Sequence, residues 1–124
     1  MKKIWIKIGD ISLLAEVYKS STADKFFSLL PMEIEMARWG DEYYGDCGID
    51  VDLDNNAKEV MEIGELAIWP IGQAFCIFFG PTPVSTGDVP IAASLVNPIG
   101  KILDNIEPLK SLAHQVTAQI EKAL

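Results

Sequence analysis

The sequence predicts a mainly β protein of one domain, in which about eight short strands and two short helices form a closed barrel or a sandwich. Three observations favour this class. Apolar and polar residues alternate in several short segments, as they do in strands with one buried face. Residues typical of turns separate these segments. The 124 residues are 49% hydrophobic and 23% charged, which is the composition of one folded domain over residues 1–124.

The first two segments predict a β-hairpin. Apolar residues occupy alternate positions of the first strand, at Ile4, Ile6 and Ile8. Gly9-Asp10 follows as a two-residue loop with glycine first, which is typical of a type II′ turn. The return strand places four apolar residues on one face, namely Ile11, Leu13, Ala15 and Val17.

A short helix is predicted from Ser21 to Leu30. Ser21 and Asp24 have the spacing of a capping box, and Pro31 pushes Leu30 out of helical geometry. The apolar residues form a single stripe, which consists of Ala23, Phe26, Phe27 and Leu30. A helix this short is marginal in water, so we expect it to cover the open end of a sheet or barrel.

Four more strands are predicted in the middle of the chain. Ile34 and Met36 alternate with glutamates after Met32, and residues 49–54 alternate Ile49, Val51 and Leu53 with three aspartates. Segments 66–69 and 74–79 form two strands joined by a turn at 70–73. The second of them is apolar throughout, as in a strand buried on both faces. The Pro- and Gly-rich residues 80–90 are a loop.

The C-terminal part predicts a strand at about 94–103, a second short helix and a last strand. Asp104 or Asn105 caps this helix and Pro108 lies in its first turn. We expect three of its residues to face inward, namely Leu109, Leu112 and Ala113. Val116, Ala118 and Ile120 form the buried face of the last strand.

Residues 64–83, GELAIWPIGQAFCIFFGPTP, are the most distinctive stretch of the sequence. They resemble the hallmark of a family of small cyclophilin-like proteins from bacteria and archaea whose biochemical role is unassigned. Trp39-Gly40 and residues 97–102 resemble its other recurring points, so the similarity covers nearly the whole chain. The resemblance implies a closed, cyclophilin-like, eight-stranded β-barrel capped by two short α-helices.

Peptidyl-prolyl isomerase activity is the alternative function that this resemblance raises. The reaction needs an arginine that contacts the prolyl amide and an apolar pocket for the proline ring. The isomerase signature FHRxxxxFxxQGGD is absent, and the sole arginine, Arg38, is followed by WGDEYY. We therefore predict a non-catalytic ligand- or peptide-binding module with no catalytic residue. Cyclophilin-like barrels also occur in oxoprolinase- and urea-amidating-type assemblies, but those chains are larger.

Aromatic residues near predicted strand ends mark a candidate binding groove. Arg38 shares the alternation of Ile34 and Met36, so it belongs at a barrel rim with its stem buried. Gln73 lies in a segment that faintly resembles the cyclophilin Gly-Ser-Gln-Phe-Phe. The predicted groove takes a peptide or a small anionic ligand and consists of Arg38, Trp39, Tyr43, Tyr44, Trp69 and Gln73. The competing interpretation is that these residues pack the rim.

No cofactor or metal site is predicted. The Asp50, Asp52 and Asp54 series lacks the glycine and the glutamate of an EF-hand and matches the wet face of a strand. His114 has no partner for a triad or a zinc site. Cys76 is predicted to be a core thiol, and acidic neighbours disfavour the thiolate of Cys47.

The net charge of −8 excludes nucleic acid and anionic membranes as expected partners. Residues 33–65 carry eleven acids and two bases, whereas the rest of the chain carries seven acids and eight bases. We therefore expect a basic protein partner to bind the face that this segment forms. Two unpaired cysteines and the lack of a signal peptide or a membrane span predict a cytoplasmic protein.

Overall fold

The computed structural model describes residues 1–124 and contains nine β-strands, one α-helix and one 3-10 helix. The strands are β1 (Lys3–Ile8), β2 (Ile11–Val17), β3 (Met32–Arg38), β4 (Glu42–Asp46), β5 (Lys58–Val60), β6 (Glu65–Trp69), β7 (Ala74–Phe78), β8 (Ile91–Ile102) and β9 (Gln115–Lys122). The α-helix α1 is Ser21–Ser28, and the 3-10 helix is Glu107–Ser111. Neither helix is long and apolar enough to span a lipid bilayer.

Eight of the strands form a ring. Their order is β2-β1-β9-β3-β4-β7-β6-β8, and β8 pairs back with β2 through Ala15, Glu16 and Val17. The short β5 pairs with the N-terminal half of β8, outside this ring. All pairings are antiparallel. The mainly β class and the eight-stranded ring are thereby confirmed.

The main core fills the interior of the ring, and alternation along each strand decides which residues enter it. The predicted inward positions of β1, Ile4, Ile6 and Ile8, are all buried. The same holds for Ile34 and Met36 of β3 and for Ala118 and Ile120 of β9. Gly9 has φ +57 in the predicted two-residue turn, and Ile8 pairs with Ile11. The N-terminal hairpin is therefore confirmed.

A helix lies at each end of the ring. Phe26 of α1 stacks on Phe75 at 5.1 Å between ring centroids, near the start of β7. Ser20 rather than Ser21 is the N-cap, because its side chain accepts the Ala23 N–H. The helix ends at Ser28, two residues before the predicted end.

The second predicted α-helix is a 3-10 helix of five residues, which corrects the sequence-based expectation. Pro108 lies in its first turn, and Leu112 already has extended backbone, so no room remains for α-helical hydrogen bonds. Leu109 is fully buried as predicted, whereas Ala113 is exposed. Of the two predicted caps, Asp104 accepts the Leu14 N–H instead, whereas the Asn105 side chain accepts the Glu107 N–H at 3.1 Å where the 3-10 helix begins.

The predicted strand at residues 49–54 is wrong, because this segment has no strand partner. Ile49 is buried but Leu53 is exposed. The segment is held by the buried Asn97, which donates to the Asp52 carbonyl at 2.8 Å and accepts the Asp54 N–H at 2.8 Å. The strands β4 and β5, on either side of it, were not predicted.

Candidate functional site

A cavity of about 290 Å³ lies on the outer face of the ring, where β4, β7, β6 and β8 are neighbours. Alternation places Tyr43 of β4 in the interior and leaves Glu42 and Tyr44 on the outside. A second apolar cluster, separate from the main core, covers this outer face; it consists of Met61, Ala67, Cys76, Phe78, Ala92 and Val96. The cavity is lined by Trp39, Glu42, Tyr44, Trp69, Cys76, Ala92, Ala93 and Val96.

Trp69 forms one wall of the cavity and is held from two sides. Its indole N–H donates to the Ser94 hydroxyl of β8 at 2.7 Å. Gly72, in the turn that follows β6, lies against the indole ring, because a Cβ at that position would come within 2.6 Å of Trp69 Cε3. The indole ring of Trp69 is therefore held in place before any ligand binds, which lowers the entropy cost of binding.

Trp39 forms a second wall from the turn between β3 and β4. This turn is a two-residue hairpin loop in which Trp39 and Glu42 exchange backbone hydrogen bonds of 2.8 and 3.2 Å. Gly40 has φ +61, and a Cβ there would come within 2.9 Å of Thr82 Cα. Only glycine allows both this conformation and the close approach of the loop that follows β7. The Trp39 turn is thus docked on the 80–90 loop.

Glu42 is the unusual residue of the cavity. It is 5% exposed, and its Oε1 atom is buried without a hydrogen-bond partner in the protein. Burial raises the pKa of this carboxyl from 4.5 to about 7, and the neighbouring Cys76 thiol offsets part of that rise. Burial and the Glu42 carboxylate together raise the pKa of the Cys76 thiol well above its usual range. At neutral pH the Glu42 carboxyl is therefore about half protonated, and the Cys76 thiol is unreactive.

Arg38 is not among the residues that line this cavity. Its guanidinium donates to the Gly40 carbonyl at 2.8 Å, to the Lys110 carbonyl at 2.9 Å and to Asp41 Oδ1 at 2.7 Å. Its Cζ also lies 5.2 Å from the centroid of the Phe79 ring. These contacts tie the end of β3 to the 3-10 helix, and they engage all three nitrogens of the guanidinium.

Tyr43 and Gln73 also lie elsewhere. Tyr43 is fully buried inside the ring, stacks on Phe79 at 5.5 Å and donates its hydroxyl to the Ala113 carbonyl at 2.5 Å. Gln73 occupies the turn between β6 and β7 with φ +49, and its carbonyl accepts the Cys47 N–H at 2.9 Å. Of the six predicted site residues, the cavity therefore brings together three, namely Trp39, Tyr44 and Trp69.

Sequence reasoning missed Glu42, Cys76 and the small residues of β8 as cavity lining. One available signal was Gly40-Asp41, which repeats the Gly9-Asp10 turn and places a strand after it. Alternation from Tyr43 then puts Glu42 and Tyr44 on one face. No signal in the sequence showed that this outer face is covered. No group of three metal-ligating side chains occurs in the structure.

Comparisons with known proteins agree with this fold. The family model described as Cyclophilin-like matches residues 2–121. The solution structure of hypothetical protein AF2241 from Archaeoglobus fulgidus is 33% identical, with a TM-score of 0.82 over 98% of this chain and 95% of that one. McbB in complex with tryptophan is 10% identical, with a TM-score of 0.68 over 95% of this chain and 44% of that one, and shows the fold alone. No curated protein matches.

Proposed function

This chain belongs to the cyclophilin-like family, and from that premise we propose that it is a non-catalytic ligand-binding module. The outer cavity of Trp39, Tyr44 and Trp69 is its binding site. The observation that carries the proposal is the buried Glu42 carboxyl, which lines an apolar cavity and has an oxygen without a partner. Buried polar groups are otherwise almost always hydrogen-bonded, so an unpartnered carboxyl oxygen beside an apolar cavity favours a ligand with a hydrogen-bond donor.

The size of the cavity limits its occupant. Sites for small molecules usually measure about 300–1,000 Å³, and this one, at about 290 Å³, is at the lower end. A small molecule of one ring, or one side chain of a peptide, is therefore the proposed occupant. Tyr44 is 39% exposed and also borders the next groove, so a peptide could continue across it towards Glu35 and Asp46.

The position of Arg38 argues against prolyl isomerisation. An isomerase arginine has to contact the prolyl amide beside the pocket that holds the proline ring. The only arginine of this chain is bonded to Gly40, Asp41 and Lys110 and is absent from the cavity lining. Freeing it would break three hydrogen bonds of the fold. We therefore propose binding without catalysis.

We also propose a cytoplasmic location and a basic face on any protein partner. Both cysteines are free, which suits a reducing compartment. The acidic residues concentrate in residues 33–65, which include two carboxylates of the second groove, Glu35 and Asp46. A partner with lysine or arginine residues would complement this surface.

Chemical-shift mapping tests the binding site. The ¹⁵N-labelled protein is titrated with a library of single-ring fragments and short peptides, with tryptophan among the probes because McbB was solved with it. We expect shifts at the indole N–H groups of Trp39 and Trp69 and at the amide of Tyr44. Ala93→Leu fills the cavity from its exposed rim and should remove these shifts, whereas Trp5, on β1, should not respond.

Two results would contradict the proposal. Shifts that avoid the cavity for every probe would show that it is not the binding site. Cis-to-trans conversion of a proline peptide that is lost in Arg38→Ala would show that the protein is an isomerase after all. The second assay needs circular dichroism of the variant, because Arg38 also supports the fold.

A further inference from the structure

The side chains that line the cavity combine aromatic rings with one acidic group. Three are aromatic, namely Trp39, Tyr44 and Trp69, and one is a carboxyl, Glu42. The remaining lining residues are Cys76, Ala92, Ala93 and Val96, so no lysine, arginine or histidine borders the cavity. The negative faces of aromatic rings attract cations, and a carboxylate does so more strongly.

No element packed against Glu42 supplies a positive charge. From β7 the facing titratable group is the Cys76 thiol, and from β4 itself it is Tyr44. The groups from β6 and β8 are Trp69 and small apolar residues, and the β3–β4 turn supplies Trp39. Arg38, the only arginine of the chain, is paired with Asp41.

The other buried glutamate of the chain shows the contrast. Glu65 is 1% exposed, and its carboxylate receives Lys58 Nζ at 2.9 Å, the Tyr18 hydroxyl at 3.1 Å and the Glu62 N–H at 2.9 Å. Burying a carboxylate is costly unless donors of this kind surround it. Glu65 therefore has its cation within the chain, whereas Glu42 has none.

We propose that the cavity binds an organic cation, with the ammonium group of the ligand at Glu42 and its apolar body against Trp39, Tyr44 and Trp69. This proposal rests on the proposed function, because it assigns a ligand class to that same cavity. It replaces the anionic ligand that the sequence suggested, since the arginine on which that expectation depended is engaged elsewhere.

The pH dependence of binding follows from the state of Glu42. The pKa of its carboxyl is about 7 in the free protein, and the ionised form is the one that attracts an ammonium group. Binding a cation therefore displaces the proton that Glu42 holds below this pH. The affinity should be about tenfold lower at pH 6 than at pH 8.

Three phenyl probes of similar size test the charge preference. Phenethylamine is a cation at pH 6–8, 2-phenylethanol is neutral and 3-phenylpropionate is an anion. Isothermal titration at pH 8 should show phenethylamine binding at least tenfold more tightly than 2-phenylethanol, and 3-phenylpropionate more weakly than either. Glu42→Gln should remove the tenfold preference and its pH dependence while 2-phenylethanol still binds.

Two further variants separate the local charge from other effects. Glu59→Gln removes one charge of the same acidic segment from an exposed position outside the cavity, and it should leave the preference unchanged. Trp39→Leu keeps an apolar wall but loses the aromatic face, so phenethylamine should lose more affinity than 2-phenylethanol.

The outcomes distinguish this proposal from the proposed function. Equal affinities for the amine and the alcohol, or a tighter anion, would overturn the cation proposal and leave a binding site for uncharged or anionic ligands. Binding of the amine that persists unchanged in Glu42→Gln would do the same. If none of the three probes binds while other fragments shift the cavity resonances, the cation proposal is overturned and the proposed binding function stands. The absence of any shift at the cavity would overturn both.

Discussion

Replacing Glu42 by glutamine should stabilise the protein increasingly as the pH rises. In the wild type the carboxyl has a pKa of about 7 when folded and its ordinary value of 4.5 when unfolded. Between these values the folded state binds more protons than the unfolded state, so the free energy of unfolding falls as the pH rises. Glutamine keeps the shape of the protonated side chain and cannot ionise, so residue 42 of the variant does not lower the free energy of unfolding as the pH rises.

The magnitude follows from the two pKa values. The shift of the pKa from 4.5 to about 7 lowers the free energy of unfolding by about 3 kcal/mol between a pH well below the first value and a pH well above the second. The pI of about 4.5 makes the protein least soluble at the acid end of that window, so pH 5.5 to 8.5 is the useful range. Over this range the advantage of Glu42→Gln should grow by about 2 kcal/mol, which corresponds to a rise of several degrees in relative Tm.

Urea unfolding followed by circular dichroism at four pH values measures this difference. Titrating groups that do not contact Glu42 contribute equally to both proteins and cancel in the subtraction, and burial keeps the Cys76 thiol of the folded state protonated in both proteins over this pH range. Glu59→Gln, which removes an exposed charge from the same acidic segment, should differ from the wild type by less than about 0.5 kcal/mol at every pH. A constant difference between Glu42→Gln and the wild type would refute the reasoning, and so would an advantage that shrinks as the pH rises.

Three other predictions concern the fold and the thiols. Asn97→Ala should lower the free energy of unfolding by about 3 kcal/mol, because it leaves buried hydrogen-bond partners unsatisfied, and hydrogen exchange should show lost protection in residues 50–54. Phe26→Ala should cost about 3–5 kcal/mol in urea unfolding, because a fully buried ring is removed. Iodoacetamide should label the half-buried Cys47 before Cys76, which should react only on unfolding, as mass spectrometry can measure.

The two stability predictions each have a matched control variant, and in the labelling experiment Cys47 and Cys76 are compared within one protein. Thr22→Val removes one of the Asn97 hydrogen bonds and should cost about 1 kcal/mol. Leu29→Ala, at an exposed position after α1, should change stability by less than about 0.5 kcal/mol. Equal costs for Asn97→Ala and Thr22→Val, a mild effect of Phe26→Ala, or equal labelling rates of the two cysteines would each contradict the packing described above.

The elements that sequence reasoning predicted correctly are those in which local pattern and tertiary environment agree. The Gly9-Asp10 hairpin has alternation on both sides of a turn that requires glycine, so its register follows from the sequence alone. Residues 49–54 alternate just as clearly, yet they form no strand. Their backbone groups are satisfied instead by the Asn97 side chain, which is 43 residues distant from Asp54, and no local pattern reports such a partner.

The site was predicted less well than the fold, because a second apolar layer lies outside the ring. Trp39, Tyr44 and Trp69 were recognised as aromatic residues near strand ends, which is a property of each residue by itself. Glu42 was missed, because a glutamate beside a turn is normally exposed. Its neighbours in the cavity lining include Cys76 of β7 and Val96 of β8, which are distant from it in sequence.

The energetic cost of Glu42 is the strongest argument that the outer cavity has a function. The ring is held together by its interior, in which Tyr43 of the same strand is packed on Phe79, so the fold does not need a carboxyl on the other face. A pKa of about 7 for that carboxyl corresponds to a loss of about 3 kcal/mol of stability at neutral pH, relative to a side chain that cannot ionise. Groups that lower stability while lining a preformed cavity are typical of functional sites. If Glu42→Gln raises stability at pH 8 and abolishes the preference for phenethylamine, the same residue will have been shown to exchange stability for recognition of a cation.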